Sequence, residues 1–229
     1  MEIRLGSQVR DAREAEGTAI IIDVFRAFTT AAVAFSRGVD KIILVAELGE
    51  ALELRRRGLA EACVGEVDGM MPEGFDFGNS PYELSRADVE GRRLIQSTRA
   101  GTVGVAAATG AERIYAGSLV TAEATAKAVL RDSPQTVSIV AMGAEGRSRA
   151  DEDEQCALYI RNLLLGLRPD RSAVRSLVLA GAEAQKYGDP AQPHFHSRDR
   201  DMAVEIDTVS FAIEIVRRDG LLVATPKAV

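Results

Sequence analysis

The sequence of 229 residues has no tryptophan, few aromatic side chains and only two cysteines. Cys63 and Cys156 are too few for a disulfide framework, and no C-x-x-C pair is present. No apolar run approaches the length of a membrane span, and the first residues lack the pattern of a signal peptide. These absences predict a cytoplasmic protein with no membrane partner.

Positive charge is also in short supply, because 28 Lys and Arg face 34 Asp and Glu for a formal net charge of −6. This balance predicts no nucleic-acid partner, since binding to a phosphate backbone needs a basic surface. A small anionic ligand remains compatible, because an arginine cluster or a bound metal reverses the sign of one pocket. A homo-oligomer is left open.

Short β-rich runs alternate with helical stretches, which predicts an α/β fold with a mainly parallel central sheet flanked by helices. The predicted strands are residues 18–24, 41–46, 62–65, 92–96, 113–116, 136–142 and 221–224. The predicted helices are residues 27–37, 47–57, 102–109, 121–131, 151–167 and 172–186, with a last helix before the closing strand. We expect residues 1–229 to form a single domain of two lobes or subdomains that divide near residue 168.

Asp23 and Arg26 follow the clearest predicted strand, where ligands of open α/β sheets bind. Asp23 suits a metal ligand or a base, and Arg26 suits a bidentate grip on phosphate. Thr29 and Thr30 lie in the first turn of the next helix, where hydroxyls and free amides attract anions. The alternative is a helix-capping aspartate paired with a nearby arginine.

The loop at residues 66–82 is long for a compact domain, and such loops are often functional. Glu66 follows a short strand, while Asp76 and Asn79 lie among glycines that let the backbone approach a ligand. A tight turn capped by Asp76 and Asn79 explains the same composition equally well.

Residues 97–102 read S-T-R-A-G-T and run from a strand into a helix. Free amides at Gly101 and Thr102 favour an anion there, and Arg99 adds positive charge. Ordinary N-capping by Thr102 is the alternative. Gly117–Ser118 repeats this arrangement more weakly, with Ser118 as its hydroxyl.

Four consecutive acids, residues 151–154, begin the longest predicted helix. Glu152 and Asp153 suit Mg²⁺, which prefers a few carboxylates with water, although acids at a helix start also complement its dipole. His194 and His196 form H-x-H, a weak metal pair. Together these segments predict a Mg²⁺-dependent enzyme, or a binder of a small phosphorylated anion.

Three runs carry a resemblance to a known family: D-V-F-R-A-F-T-T at 23–30, G-E at 65–66 and G-F-D-F-G-N-S-P at 74–81. A-G-T at 100–102, G-S at 117–118 and E-D-E-Q-C-A at 152–157 follow in the same order. The sequence resembles the 2-phosphosulfolactate phosphatase family over about residues 18–160.

The resemblance implies hydrolysis of (2R)-2-phospho-3-sulfolactate to 3-sulfolactate and phosphate, with Mg²⁺, on the path to coenzyme M. On this basis we predict catalytic, substrate-binding and metal-binding residues. The predicted catalytic residues are Asp23, Arg26 and Asp76. The predicted substrate-binding residues are Arg26, Thr29, Thr30, Asn79, Arg99, Gly101, Thr102 and Ser118. The predicted metal ligands are Asp23, Glu66, Asp76, Glu152 and Asp153.

The sequence departs from the family where T-T-N-G-T is common, because Arg99 and Ala100 stand there, and Thr121 replaces an asparagine common after G-S. These departures fall at residues expected to line the pocket, so they bear on the substrate and not on the reaction class. A phosphatase for another small phosphorylated carboxylic acid and a non-catalytic sensor of an anionic metabolite are the alternatives. The sequence does not choose between attack by water and a phosphoaspartate.

Overall fold

The computed structural model describes residues 1–229, which form ten strands and ten α-helices. The strands are β1 (Glu2–Ser7), β2 (Gly17–Ile22), β3 (Lys41–Val45), β4 (Ala62–Gly65), β5 (Phe77–Gly78), β6 (Arg93–Ser97), β7 (Ala111–Gly117), β8 (Thr136–Ala141), β9 (Phe211–Arg218) and β10 (Leu221–Ala228). The helices are α1 (Gln8–Arg13), α2 (Ala27–Ser36), α3 (Leu48–Arg56), α4 (Pro81–Arg86), α5 (Gly101–Ala107), α6 (Ala122–Asp132), α7 (Asp151–Leu164), α8 (Arg171–Ala180), α9 (Ala182–Gln185) and α10 (Ser197–Ala203).

All ten strands join one sheet in the order β1-β8-β2-β7-β9-β10-β3-β6-β4-β5. Strands β1, β8, β2 and β7 form one parallel block, and β3, β6, β4 and β5 form a second. The antiparallel hairpin of β9 and β10 lies between the two blocks and pairs with β7 on one side and β3 on the other.

The predicted α/β class is confirmed, and six of the nine neighbouring strand pairs are parallel. The parallel arrangement is interrupted only at the centre, because a tight hairpin connection requires antiparallel neighbours. Beyond residue 168 the chain forms α8, α9 and α10 and then supplies this central hairpin. The division into two lobes near residue 168 stays a prediction.

Strand β2 is buried on both faces, as its continuous apolar run predicts. Ala19 and Ile21 belong to a cluster of 29 buried residues that includes side chains of α2 and α5. Ile20 and Ile22 point the other way, into a cluster of 23 residues shared with α6 and α7. The carboxyl end of β2 is therefore held rigidly between two helical layers.

The hairpin makes the two parallel blocks run in opposite directions. Sheet twist of roughly 20–25° per strand turns the second block by on the order of 100° over the five steps from β2 to β6. As a result, the segments that follow β2 and β6 meet. The contact between them is a hydrogen bond of 2.8 Å from the backbone amide of Gly101 to the Asp23 carboxylate. No helix is both long enough and apolar enough to cross a bilayer.

Candidate active site

A cleft of about 120 Å³ lies where the segments after β2, β4, β6 and β8 converge. In α/β sheets, ligands bind beyond the carboxyl ends of the strands, and this cleft lies beyond the carboxyl ends of two strands from each block. Helix α9 and the segment that follows it close the cleft on the remaining side. The lining residues are Asp23, Phe25, Arg26, Glu66, Asp68, Gly69, Asn79, Arg99, Ala100, Gly143, Ala144, Glu145, Glu152, Glu183, Lys186 and Phe195.

Asp23 lies directly after β2 and is 6% exposed. Its Oδ1 accepts the Ala27 amide at 3.0 Å and its Oδ2 accepts the Gly101 amide at 2.8 Å, so one carboxylate joins both parallel blocks. A Cβ on Gly101 would lie 2.8 Å from Oδ2, which explains glycine there. Burial raises the pKa of Asp23 to about 6, and the charge of Glu66 adds to this rise.

Glu66 fixes the two loops of the second block that border the cleft. Its Oε1 accepts the Arg99 amide at 2.8 Å, and its Oε2 accepts the Gly69 amide at 2.9 Å. The Arg99 backbone is thus anchored to a cleft carboxylate, and Gly101, two residues on, is anchored to another. The loop after β6 is held between them.

Glu152 and Asp153 lie in the first turn of α7, and only Glu152 lines the cleft. Asp153 points into the protein, where its Oδ1 accepts the Val24 amide at 2.7 Å and its Oδ2 accepts the Gly143 amide at 2.8 Å. Burial and nearby carboxylates raise the pKa of Glu152 to about 8, and that of Asp153 well above its usual range.

Arg26 lines the cleft, but most of its donors are committed to the protein. Its Nη1 donates to the His194 carbonyl at 2.9 Å and to Asp199 at 3.1 Å, and its Nη2 donates to the Gly69 carbonyl at 2.9 Å. The guanidinium also lies 5.1 Å from the ring centroid of Phe195. Arg26 therefore joins the segment after β2 to the loop after β4, which contains Gly69, and to the chain that runs from His194 into α10.

Asp199, in α10, is the buried partner of this arginine and accepts the Ser80 hydroxyl at 2.6 Å and the Tyr82 amide at 3.0 Å. Ser80 also caps α4 by accepting the Glu83 amide, and Pro81 occupies the first turn. The N-S-P sequence thus starts a helix in the usual way for Ser and Pro. This leaves Asn79 on the cleft wall, 4% exposed, with no hydrogen-bond partner for its Oδ1.

The structure places the other predicted residues behind the cleft or away from it. Thr29 donates to the Val24 carbonyl, the Thr102 hydroxyl bonds to residue 98, Ser118 bonds to residue 121, and Thr30 is buried in α2. Asp76 lies outside the cleft, because its carboxylate accepts the Cys63 amide at 2.8 Å and pairs with Arg55.

Sequence reasoning missed several cleft residues, chiefly Asp68, Glu145, Glu183, Lys186 and Phe195, together with Asp199 behind them. For α9 and the segment that follows it, which contribute Glu183, Lys186 and Phe195, the only signal in the sequence was the H-x-H pair. Neither imidazole lines the cleft: His196 caps α10 through Nδ1 and stacks on Tyr82 at 4.7 Å, and His194 contributes its carbonyl to Arg26.

Six carboxylates and three basic side chains line the cleft, so negative charge predominates. No three His, Cys, Asp or Glu residues are grouped closely enough to hold a metal ion by themselves. Mg²⁺ does not require such a group, because it usually binds one or two carboxylates and keeps waters or substrate phosphate as its other ligands. The oxygens of Asp23, Glu66 and Glu152 fit that chemistry.

The family model for 2-phosphosulpholactate phosphatase matches residues 6–199, a range that includes every residue of the cleft. A probable 2-phosphosulfolactate phosphatase of Bacillus subtilis is 32% identical over 204 residues, which cover 88% of this chain and 87% of the relative. A protein of the same name from Cyanothece sp. is 39% identical over 160 residues, covering 69% of this chain and 65% of the relative. The chain therefore spans a little less than two thirds of the Cyanothece protein.

The match covers the whole cleft, and the Bacillus relative aligns along most of both chains. The chain belongs to the 2-phosphosulpholactate phosphatase family, whose name denotes a phosphoric-monoester hydrolase.

Proposed function

We propose that the chain hydrolyses 2-phospho-3-sulfolactate to 3-sulfolactate and phosphate in a Mg²⁺-dependent reaction. The observation that carries this proposal is the acidic cleft at the carboxyl ends of four strands, all of whose residues fall within the family match. The names of the relatives in Bacillus and Cyanothece support the substrate.

Charge explains why a cation belongs in this proposal. A phosphate ester that enters a cleft lined by six carboxylates is repelled unless positive charge compensates them. One or two of Asp23, Glu66 and Glu152 would hold Mg²⁺, with water and substrate phosphate as its remaining ligands. The ion would neutralise the ester and polarise a phosphoryl oxygen.

The chain's own contribution to phosphoryl transfer is positioning, because such reactions depend mostly on alignment and electrostatic stabilisation. The backbone amides of Ala27 and Gly101 hold both oxygens of Asp23 in place beside the cleft. From that position Asp23 serves either as the base for an attacking water or as the nucleophile. Labelled phosphate that is stable in acid and released by hydroxylamine would identify the covalent route.

The test is phosphate release from racemic phosphosulfolactate by the purified protein, with Mg²⁺ or with EDTA. We expect release only with Mg²⁺, and a loss of at least about 100-fold in Asp23→Asn. Asp76→Asn is the matched control, because Asp76 lies outside the cleft and pairs with Arg55. Absence of release from folded protein with Mg²⁺ would refute the proposed substrate.

A second candidate is a phosphatase for another small phosphorylated carboxylic acid. It is favoured by Arg99 and Ala100, which line the cleft where the sequence departs from the family pattern. A substrate panel separates the two candidates: turnover of other 2-phosphoacids without turnover of phosphosulfolactate would select the second.

A further inference from the structure

The three basic side chains of the cleft differ in how their charges are compensated. Arg26 pairs with Asp199, and the two side chains are 3% and 0% exposed. Drawing Arg26 towards a ligand would leave a buried carboxylate without its cation, which is costly. Arg26 is therefore a poor choice for binding an incoming anion.

Lys186 is also paired, since its Nζ lies 2.7 Å from each oxygen of Glu183. Both side chains are partly exposed, so this pair is weak, but its charge is balanced within the same turn. A ligand bound at Lys186 would have to compete with the adjacent carboxylate.

Arg99 is different, because its guanidinium makes no ion pair and no hydrogen bond with any residue although it lines a cleft rich in carboxylates. Its backbone is well fixed, with its own amide on Glu66 and the amide of Gly101 on Asp23. The cleft thus contains one cation that is anchored at its backbone and free at its head group. Such an arrangement lowers the ordering cost of binding an anion.

We infer that Arg99 binds a second acidic group of the substrate, a carboxylate or a sulfonate, separate from the phosphoryl group that reacts beside Asp23. The planar guanidinium offers two parallel donors that match an oxyacid group. The inference rests on the proposed function for the identity of the reacting group. It makes Arg99 a residue that determines specificity, and the preferred substrate an ester with at least two acidic groups.

The experiment compares wild-type protein with Arg99→Ala and Arg99→Lys on three esters. Phosphosulfolactate carries both additional acids, 2-phospholactate carries only the carboxylate, and glycerol 2-phosphate carries neither. We expect Arg99→Ala to lower kcat/KM for phosphosulfolactate ~10- to 100-fold more than for glycerol 2-phosphate, mainly through KM. Arg99→Lys should fall between, because it keeps the charge and loses the planar fork.

The 2-phospholactate result tells the two acids apart, since it is affected only when Arg99 binds the carboxylate. Arg149→Ala is the matched control, because Arg149 is 74% exposed in a neighbouring loop and does not line the cleft. An equal loss for all three esters would overturn the inference, since Arg99 would then bind the phosphoryl group. No loss for any ester would overturn it as well.

Calorimetry with 3-sulfolactate, in the presence of Mg²⁺, separates this inference from the proposed function. If wild-type protein releases no phosphate from any of the three esters, the proposed function fails and this titration alone decides about Arg99. Binding to wild-type protein that weakens at least ~10-fold in Arg99→Ala supports the inference. Equal binding by both proteins, or none by wild type, overturns it.

Discussion

The buried pair of Arg26 and Asp199 allows a quantitative prediction for the stability of the region around the cleft. Asp199 accepts three hydrogen bonds, from Arg26, Ser80 and the Tyr82 amide, and its side chain is fully buried. Asp199→Ala removes all three acceptor contacts and leaves a buried guanidinium without its carboxylate. Removing one partner of a buried pair costs about 3–5 kcal/mol.

For a chain of this length, 1 kcal/mol corresponds to about 2–4 °C in Tm, so we expect Asp199→Ala to lower Tm by roughly 6–20 °C. Differential scanning calorimetry measures this directly. Asp201→Ala is the matched control, because Asp201 lies in the same helix, is 44% exposed and pairs only with Arg200. Its expected cost is below about 1 kcal/mol.

A double-mutant cycle with Arg26→Met tests the physical cause. Arg26→Met leaves the buried Asp199 carboxylate without its cation, although Ser80 and the Tyr82 amide still donate to it, so this variant should also be destabilised. In the double variant no charge is left unpaired, and its loss should be smaller than the sum of the single losses by at least about 1 kcal/mol. Additive losses, or a Tm for Asp199→Ala like that of the Asp201 control, would refute the reasoning.

Three further predictions concern the cleft itself. Asn79→Ala should change the free energy of unfolding by less than about 1 kcal/mol, because its Oδ1 has no hydrogen-bond partner to lose. The same variant should lower kcat/KM at least about 10-fold. Chemical denaturation and steady-state kinetics measure the two effects, and a loss of stability that accompanies the loss of activity would contradict the prediction. Gly101→Ala should cost about 1–3 kcal/mol and most of the activity, because its Cβ would meet Asp23 Oδ2 at 2.8 Å; full activity would show that the loop adapts. The pKa of Glu152 is raised to about 8 in the folded protein, and that of Asp23 to about 6. The folded state therefore retains protons that the unfolded chain releases above about pH 4, and these two groups favour the folded state at acidic pH. The metal-free protein should therefore lose this stabilisation as the pH rises from about 4 to 8, and Mg²⁺ should reduce the loss; thermal shifts without Mg²⁺ that do not vary with pH would contradict the assignment.

Strands β2 and β8 were predictable because burial on both faces leaves a direct mark in sequence. Strand β2 ends in the unbroken apolar run A-I-I-I, and β8 is apolar except for Thr136 and Ser138. Their predicted positions agree with the structure to within two residues at each end. Helices α2, α3 and α6 also begin and end within one residue of prediction. Strand β1, in contrast, is an edge strand with three of its six residues exposed, so its sequence carries no apolar run to detect.

The hairpin escaped prediction for another reason. Only residues 221–224 of β10 were predicted as strand, and β9 was not predicted, because its alternating segment F-A-I-E-I-V-R-R ends in charge. Its place between the two blocks is a matter of pairing over long separations along the chain. Local patterns contain no information about that choice.

For the site, the feature of the sequence that predicted cleft residues best was a position shortly after a strand. Asp23, Arg26, Glu66, Asn79, Arg99 and Glu152 were all predicted as site residues, and all line the cleft. Asp76 shared the glycine-rich context of Asn79, but its side chain faces Arg55 and the Cys63 amide. Direction within a loop depends on tertiary contacts, which the sequence does not display, and the same limit hid Lys186 and Phe195.

The central hairpin also bears on how the molecule comes together. Strands β9 and β10 come last along the chain, yet every strand pairing that connects the two blocks passes through them. Asp23 and Glu152 follow strands of one block, whereas Glu66 and Arg99 follow strands of the other. On a ribosome, both half-sheets can form before the hairpin emerges, but the pairing that unites them cannot. A ligand that contacts both Asp23 and Arg99 would then link the two parallel blocks, whose pairing through the hairpin forms last. Its binding free energy would add to the stability of the complete sheet.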